Sequence, residues 1–284
     1  TGTFSTAGST ITGTGVDTGM TNYDTIRYTD GSTVLGYHKM NTIASGVLTV
    51  TPAPSALTGG GNEEVEAGAR ITAGTTFRSF NIEREYTDLT SEFALYRGMA
   101  PQTLSLSMTP ESIITGSIGF IGKDETTTTS TLGDGSPTDP GSGNTSFNAI
   151  DHIYAIWEAN AVTAVRQFDM SLNNNLFPRL ELGTLGAVSI GKGSIDLSGS
   201  IQLTYDSTSE AFFAKLLSQA ETSLQVILVD ASGNAYSIDI PAIKLSDGKR
   251  VAGGLNQDVI ADISWAAKVE STESEMLRMQ RWAV

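Results

Sequence analysis

The chain has 284 residues, of which 39% are hydrophobic, only 17% are charged and 30 are glycine, and this balance favours a turn-rich β protein with a sizeable core. Its formal net charge of −14 argues against binding nucleic acid by neutralising phosphates. It contains no cysteine, which excludes disulfides, thiolate metal sites and a cysteine nucleophile.

The N-terminal residues 1–22 are rich in Gly, Thr and Ser and poor in large apolar side chains. Such a segment cannot fold alone, so we expect an N-terminal arm. Strand-like runs follow at residues 25–28 and 47–50, with Asp30-Gly31 marking a turn between them.

Residues 77–123 hold the strongest β pattern of the chain. Within them, residues 104–109 read LSLSMT, so that apolar residues alternate with hydroxyl residues. This alternation places apolar side chains on one face of a half-buried strand and hydroxyl groups on the other. Further strands are predicted over residues 77–86 and 114–121.

A short helix is predicted between the first two of these strands, over residues 88–99. Asp88 or Thr90 can cap its N-terminus, and Gly98 can end it. The expected unit is therefore strand, short helix, strand, strand.

Residues 124–146 form a polar insertion in which Leu132 is the single large apolar residue. The insertion has no core of its own, and a flexible hairpin tip that contacts a neighbouring subunit is the functional interpretation. Its acidic residues lack the alternating oxygen ligands and the closing Glu of a calcium loop, which argues against a metal site.

The second half of the chain resembles a repeat of the first. Three pairs of segments correspond: 77–82 with 165–170, 104–107 with 187–190, and 113–122 with 195–204. An internal repeat of one β module is the economical explanation, and chance similarity of Ser- and Gly-rich strands is the alternative. The expected division is an arm at 1–22, a first module at 23–146 and a second module at 147–284.

The clearest helix is predicted over residues 207–218, with Ser207 or Ser209 as its cap. Strands are predicted to follow at 224–229, 236–240, 243–245 and 259–269, and a closing strand at 276–283. Asp247-Gly248 is interpreted as a turn between strands.

Candidate catalytic and cofactor sites are few. Residues 186–194 come close to a P-loop, but Gly193 follows Lys192 where a hydroxyl residue is required, and a strand-like run follows where a helix is required. The two histidines, His38 and His152, are too few for a catalytic zinc without cysteine. We expect no enzyme activity, no cofactor and no metal, although the 31 acidic residues leave chance carboxylate pairs open.

The strings FNIEREYTDL, YRGM, LSLS and ITGSIGFIGK, all within residues 77–123, resemble the central signature of siphophage tail tube proteins, the major tail proteins of phages with long, non-contractile tails. The resemblance is thin outside this segment and contains no catalytic motif. It implies a mainly β fold of tandem β-sandwich or barrel modules, each with a short helix, that assemble into a closed ring barrel. Stacked rings would form the tail tube that conducts phage DNA during ejection.

The resemblance also implies partners. With two modules in each chain, a trimeric ring is favoured, and a hexamer of single chains is the alternative. The tape measure protein and viral DNA would occupy the lumen without sequence-specific binding, and other tail proteins would contact the tube ends. No run approaches the ~18 apolar residues that cross a bilayer, so no membrane is expected, and the protein would be made in the host cytoplasm and reside in the virion.

Candidate subunit-interface residues lie in or near the predicted strand 77–86: Phe80, Ile82, Glu83, Arg84, Glu85, Tyr86 and Arg97. Candidate ring-stacking residues lie in the polar insertion: Asp124, Glu125, Leu132, Asp134 and Asp139. Two rival interpretations stay open at this point. One is another virion structural protein, such as a tail terminator or head decoration protein, and the other is a carbohydrate- or receptor-binding β-sandwich.

Overall fold

A computed structural model of the protein describes residues 5–13, 20–31, 33–54, 63–72, 74, 76–89, 92–132, 146–149, 153–158, 160–161, 165–255 and 257–283. In these residues the fold is mainly β, the strand pairings are antiparallel and one α-helix is present. The predicted fold class is confirmed at this level.

The first sheet is built from the N-terminal part of the chain. Its strands are β1 (Ser5–Ala7), β2 (Thr10–Thr12), β3 (Thr25–Asp30), β4 (Thr33–Ala44), β5 (Val47–Thr51) and β6 (Glu63–Ala67), in the order β1-β2-β5-β4-β3-β6. The strands predicted at 25–28 and 47–50 are confirmed, and residues 5–12 of the expected arm pair into the same sheet. Alternate residues of these strands bury a small apolar core.

The remaining elements follow in chain order. They are β7 (Ala69–Thr72), β8 (Phe80–Tyr86), β9 (Glu92–Met108), β10 (Thr115–Ile121), β11 (Asp124–Thr128), β12 (Ile153–Glu158), β13 (Asn160–Ala161), β14 (Val165–Asn173), β15 (Phe177–Arg179), β16 (Ser189–Gly191), β17 (Asp196–Thr204), α1 (Ser207–Ser218), β18 (Glu221–Val229), β19 (Ala235–Ala252), β20 (Val259–Ala267) and β21 (Arg278–Trp282). The main path of the large second sheet runs β10-β9-β14-β17-β20-β19-β18-β12-β13.

The second sheet folds over onto itself. The long strand β19 makes this possible, because its first part pairs with β18 and its last part pairs with β20. Apolar side chains of β14, β17 and β20 therefore share one core with those of β18, β19 and α1, and Trp265 is buried within it. The sheet of the described residues has two open ends, so a closed barrel is not present in one chain.

The helix predicted over 207–218 is confirmed as α1. Its N-cap is Asp206, where Ser207 or Ser209 was predicted. The amide of Ser209 donates to Asp206 Oδ1 at 2.8 Å, and Ser209 Oγ accepts from the amide of Asp206 at 2.6 Å. This reciprocal pair is a capping box, which satisfies backbone groups at the start of the helix.

The helix predicted over residues 88–99 is wrong. Residues from Glu92 onward belong to the strand β9, which pairs with β8 on one edge and with β11 on the other. Two ladders of backbone hydrogen bonds outweigh the weak helix propensity of so short a segment. Only the second half of the chain thus shows, among its described residues, the short helix expected of each module.

Two further expectations differ from the structure. Asp247-Gly248 is not a turn, because β19 continues through both residues with a bulge between Leu245 and Asp247. Residues 187–190, the expected counterpart of 104–107, overlap β16, which pairs only with β15 in a separate two-stranded sheet. The strand beside β17 is instead β14. The division into modules stays a prediction.

The two sheets are joined by β21 and by a buried polar network. β21 pairs with β19 and with β7, the strand that follows the first sheet. Thr25 of the first sheet donates its amide to Gln280 Oε1 at 2.5 Å, and its hydroxyl accepts from Gln225 at 2.7 Å. Buried polar groups that are paired in this way fix the register of the two layers.

Candidate functional site

A polar face covers five neighbouring strands of the second sheet, β10, β9, β14, β17 and β20. In β9, β14, β17 and β20 alternation places apolar side chains towards the core and polar ones on the opposite side, as predicted for 104–109, whereas Ile118 and Phe120 of the edge strand β10 are exposed. Cross-strand pairing aligns the polar side chains in rows. The polar face consists of Thr103, Ser105, Ser107, Thr115, Ser117, Gln167, Asp169, Ser171, Asn173, Asp196, Ser198, Ser200, Gln202, Asp262 and Ser264.

Asp169 lies at the centre of this face. Its Oδ1 accepts a hydrogen bond from Ser107 at 2.6 Å, and its Oδ2 accepts from Gln167 at 2.6 Å and more weakly from Ser200 at 3.4 Å. The carboxylate is held by neutral donors on three strands. Its negative charge is therefore oriented and stabilised without being cancelled by a cation.

The rest of the polar face is built in the same way. Ser105 and Ser117 exchange a hydrogen bond of 2.8 Å between hydroxyl groups, and Gln202 donates to Asp262 at 2.7 Å. The fifteen residues named above include three aspartates and neither lysine nor arginine, and Asp262 is paired with Lys249 of β19 at 3.6 Å. A shallow, open depression of about 450 Å³ is lined by residues of β9, β10, β14 and β17. The face is thus hydroxyl-rich and weakly acidic.

Sequence reasoning found only part of this face. The alternation at 104–109 predicted the serines of β9, whereas no lumen-facing or surface role was predicted for Asp169, Gln167 or Gln202. The signal was available, because residues 167–172 read QFDMSL and alternate in the same way. What the sequence did not reveal is that β14 lies directly beside β9.

A three-stranded β arm projects from one end of the polar face. It consists of β8, the first half of β9 and β11. Arg97 and Asp124 fasten two of its strands with a two-pronged ion pair, in which Nε and Nη2 each lie 2.8 Å from a carboxylate oxygen. The Asp124 carboxylate raises the pKa of Arg97.

Most predicted interface residues lie on this β arm. Phe80 is 51% exposed, and Arg84 lies over the Tyr86 ring at 4.9 Å from its centroid. Glu83 accepts hydrogen bonds from Thr131 and Leu132 at 2.6 and 2.8 Å, and these donors lower its pKa. Glu83 and Arg97 thus have partners within the chain.

The remaining candidates divide into three groups. Asp124 belongs to the ion pair with Arg97, and Glu125, which lies opposite Tyr96 in the β11–β9 pairing, raises the pKa of Tyr96. Leu132 is 60% exposed. Asp134 and Asp139 lie outside the described residues. Whether these residues contact another copy stays a prediction.

A charged cluster lies between the two sheets, away from the polar face. Lys39 Nζ is 2.8 Å from both Asp239 Oδ2 and Glu273 Oε1, and Arg278 lies 2.6 Å from Glu275. Burial raises the pKa of Asp239 and of Glu273. Burial alone would lower the pKa of Lys39, but the two carboxylates outweigh it and raise that pKa. The cluster joins the two sheets.

The sequence features that suggested chemistry have structural roles where they are described. Residues 186–194 form a turn and the strand β16, with no helix after Lys192. His38 is buried and donates from Nδ1 to the carbonyl of Pro52 at 2.9 Å, whereas His152 lies outside the described residues. In the part of the chain that the structure describes, no three acidic or histidine side chains are grouped to hold a metal, and no helix is long and apolar enough to cross a membrane.

Comparisons with known proteins agree with the sequence resemblance. A family model described as phage tail tube protein matches residues 1–267, which is most of the chain. No curated protein matches it. The match extends far beyond the signature at 77–123, so the resemblance to phage tail tube proteins is confirmed over residues 1–267.

Proposed function

The chain belongs to the phage tail tube protein family, a family of structural proteins of the virion tail, and from this membership we propose that its copies close into rings and stack into a tube that conducts phage DNA during ejection. The tape measure protein would fill the lumen before the DNA passes, and other tail proteins would contact the tube ends. The single observation that carries the proposal is the polar face.

The polar face has the chemistry that a DNA conduit requires. Phosphate contacts by lysine and arginine give DNA-binding proteins most of their affinity and would retard a moving duplex. The fifteen residues of the face include no such cation, and Lys249 at the β19 edge of the layer is paired with Asp262. Asp169 and Asp196 repel phosphates instead, and the serine and threonine hydroxyls keep the wall wetted by water.

Ring closure would use the two edges of the layer that carries the polar face. Among the described residues, β10 has no strand on its outer edge, and neither has the last part of β19, residues 246–252. Unpaired edges invite pairing with another chain, and closure of a ring removes them. Pairing of β10 from one copy with residues 246–252 of the next would continue the sheet around the lumen.

Strand counts connect this layer to the number of copies. The layer holds six strands when the last part of β19 is included, namely β10, β9, β14, β17, β20 and β19. Three chains would supply 3 × 6 strands, which at a spacing of ~4.8 Å and a tilt of ~40° close a backbone cylinder about 36 Å across. If only β10, β9, β14 and β17 line the lumen, six chains would supply 6 × 4 strands. The same strand spacing and tilt would then give a cylinder about 48 Å across. We favour the trimer.

The β arm is proposed to contact the neighbouring copy. Because Glu83 and Arg97 already have partners in the same chain, the best candidates on this arm are Arg84 and Glu85. Arg84→Ala and Glu85→Ala are expected to weaken assembly, with Arg78→Ala outside the strand as a matched control. Normal assembly of both arm variants would remove this assignment.

Electron microscopy of the purified protein in negative stain, across a concentration series, tests the proposal. Hollow tubes with a regular repeat and threefold end views are the expected result, and sixfold end views would favour the four-strand lining. Single rings that never stack would favour a tail terminator or head decoration protein. Monomers that retain a fold would contradict ring assembly and favour a binding β-sandwich.

A further inference from the structure

The segment between β15 and β16 exposes large apolar side chains at a turn. Leu180 is 72% exposed, and Leu182 and Leu185 are 105% and 102% exposed, which means that their side chains contact no other part of the described chain. We call residues 180–188 the apolar loop. Single exposed apolar residues are common at protein surfaces, but three leucines within six positions form a patch that another surface would cover.

The backbone of the apolar loop is held in place. The amide of Ala187 donates to the carbonyl of Lys123 at 3.0 Å, and the amide of Val188 donates to the carbonyl of Arg179 at 2.9 Å. Gly186 has a φ of +84° and lies so close to Lys123 that an added Cβ would be 2.7 Å from its carbonyl oxygen. The leucines are therefore presented from a fixed position at the base of the β arm.

A second apolar projection lies at the opposite end of the same strands. The apolar loop belongs to the β15–β16 segment that lies between the end of β14 and the start of β17, whereas the β19–β20 turn lies beside the last residues of β17. In that turn Leu255 is 93% exposed, and Val251, near the end of β19, is 45% exposed. The nine residues of β17 at ~3.3 Å each place the two projections about 30 Å apart.

We propose that the apolar loop of one copy packs against the β19–β20 turn of a copy in the next ring. This inference rests on the proposed tube. If the sheet edges close each ring, the strand ends are the surfaces left for stacking. The two strand ends differ, so they can meet only head to tail, and a head-to-tail contact that does not close on itself builds a filament. The surface that covers the apolar loop thus belongs to a second copy of this chain.

Serine substitution tests the contact. The double variant Leu182→Ser/Leu185→Ser should raise the critical concentration for tube formation by at least about 100-fold, because two leucines would lose their burial in every stacking contact. Leu255→Ser should also raise it. Leu217→Gln, on α1 and 74% exposed, is the matched control and should leave tubes unchanged. Circular dichroism should show unaltered melting for all of these variants, since none of the four side chains is buried.

Cross-linking gives a second measurement. Because the protein has no native cysteine, only introduced cysteines can form disulfides. The variant Leu185→Cys/Leu255→Cys should form a ladder of disulfide-linked chains under oxidation, whereas each single cysteine variant has no facing cysteine in a head-to-tail contact and should give no ladder. A link within one chain is excluded by the length of β17.

The outcomes separate the two proposals. A ladder from the double cysteine variant, together with loss of tubes in the double serine variant, supports both the tube and the apolar contact. If the wild type and the double serine variant both form tubes, and the double cysteine variant gives no ladder, the apolar contact is overturned and the tube proposal stands. Loss of tubes in Leu132→Ser alone would assign stacking to the polar insertion. If the wild type forms no tubes and the double cysteine variant gives no ladder, both proposals are overturned.

Discussion

Gly199 offers the sharpest test of how the polar face is supported. This residue of β17 pairs with Met170 and with Trp265, and it lies beneath the Trp265 ring, which stacks on Phe168 with centroids 6.1 Å apart. A Cβ at Gly199 would clash with the carbonyl oxygen of Asp169 and would lie 2.8 Å from Trp265 Cε2. Because a backbone atom and a buried ring must both move, Gly199→Ala should destabilise the protein by about 3 kcal/mol, at the upper end for overpacked cores.

Urea denaturation of the unassembled protein, followed by tryptophan fluorescence, measures this effect. Gly74→Ala is the matched control, because a Cβ there would meet no atom within 4 Å. Its free energy of unfolding should change by less than about 0.5 kcal/mol. If Gly199→Ala loses no more free energy of unfolding than Gly74→Ala, the close packing of β17 on Trp265 is refuted.

Three more predictions follow from the charged cluster, the buried histidine and the polar face. Lys39→Met leaves Asp239 buried without its cation and should cost about 3–5 kcal/mol of unfolding free energy in urea titrations. Burial holds the pKa of His38 below its usual 6.5. The stabilising contribution of the neutral imidazole is therefore complete above pH 6.5 and is lost as the pH falls through the lower folded-state pKa. The wild type should lose more unfolding free energy than His38→Asn between neutral and acidic pH. Ser105→Lys/Ser171→Lys should slow DNA ejection from phage particles that carry it, whereas Ser105→Asp/Ser171→Asp should not, and equal rates for both would contradict a lumenal position.

The sequence predicted well those elements whose pattern is local. The alternation of 104–109 and the helix at 207–218 each depend on a short window, and both are confirmed. The helix at 88–99 failed because the decisive partners, β8 and β11, lie outside that window. Local propensity is weak compared with two flanking ladders of hydrogen bonds.

The polar face was predictable only in part for the same reason. The hydroxyl side of β9 follows from its own residues, but Asp169 joins it through a pairing with β9 that spans more than sixty residues of chain. The exposed leucines of the apolar loop could have been noticed as LELGTL within a Gly-rich turn. Their exposure, and the position of Leu255 at the far end of the strands, required the fold.

The position of β21 has a consequence for synthesis. Thr25 lies 255 residues before Gln280, its partner across the junction of the two sheets. A ribosome that adds ~5–20 residues per second needs about 13–50 s to make that stretch. During this interval the nascent first sheet lacks the strand that docks it, and the side of Tyr37 that Trp282 later covers stays open to solvent. A chain that stalls before residue 278 would therefore lack the contacts that Gln280 and Trp282 make with the first sheet.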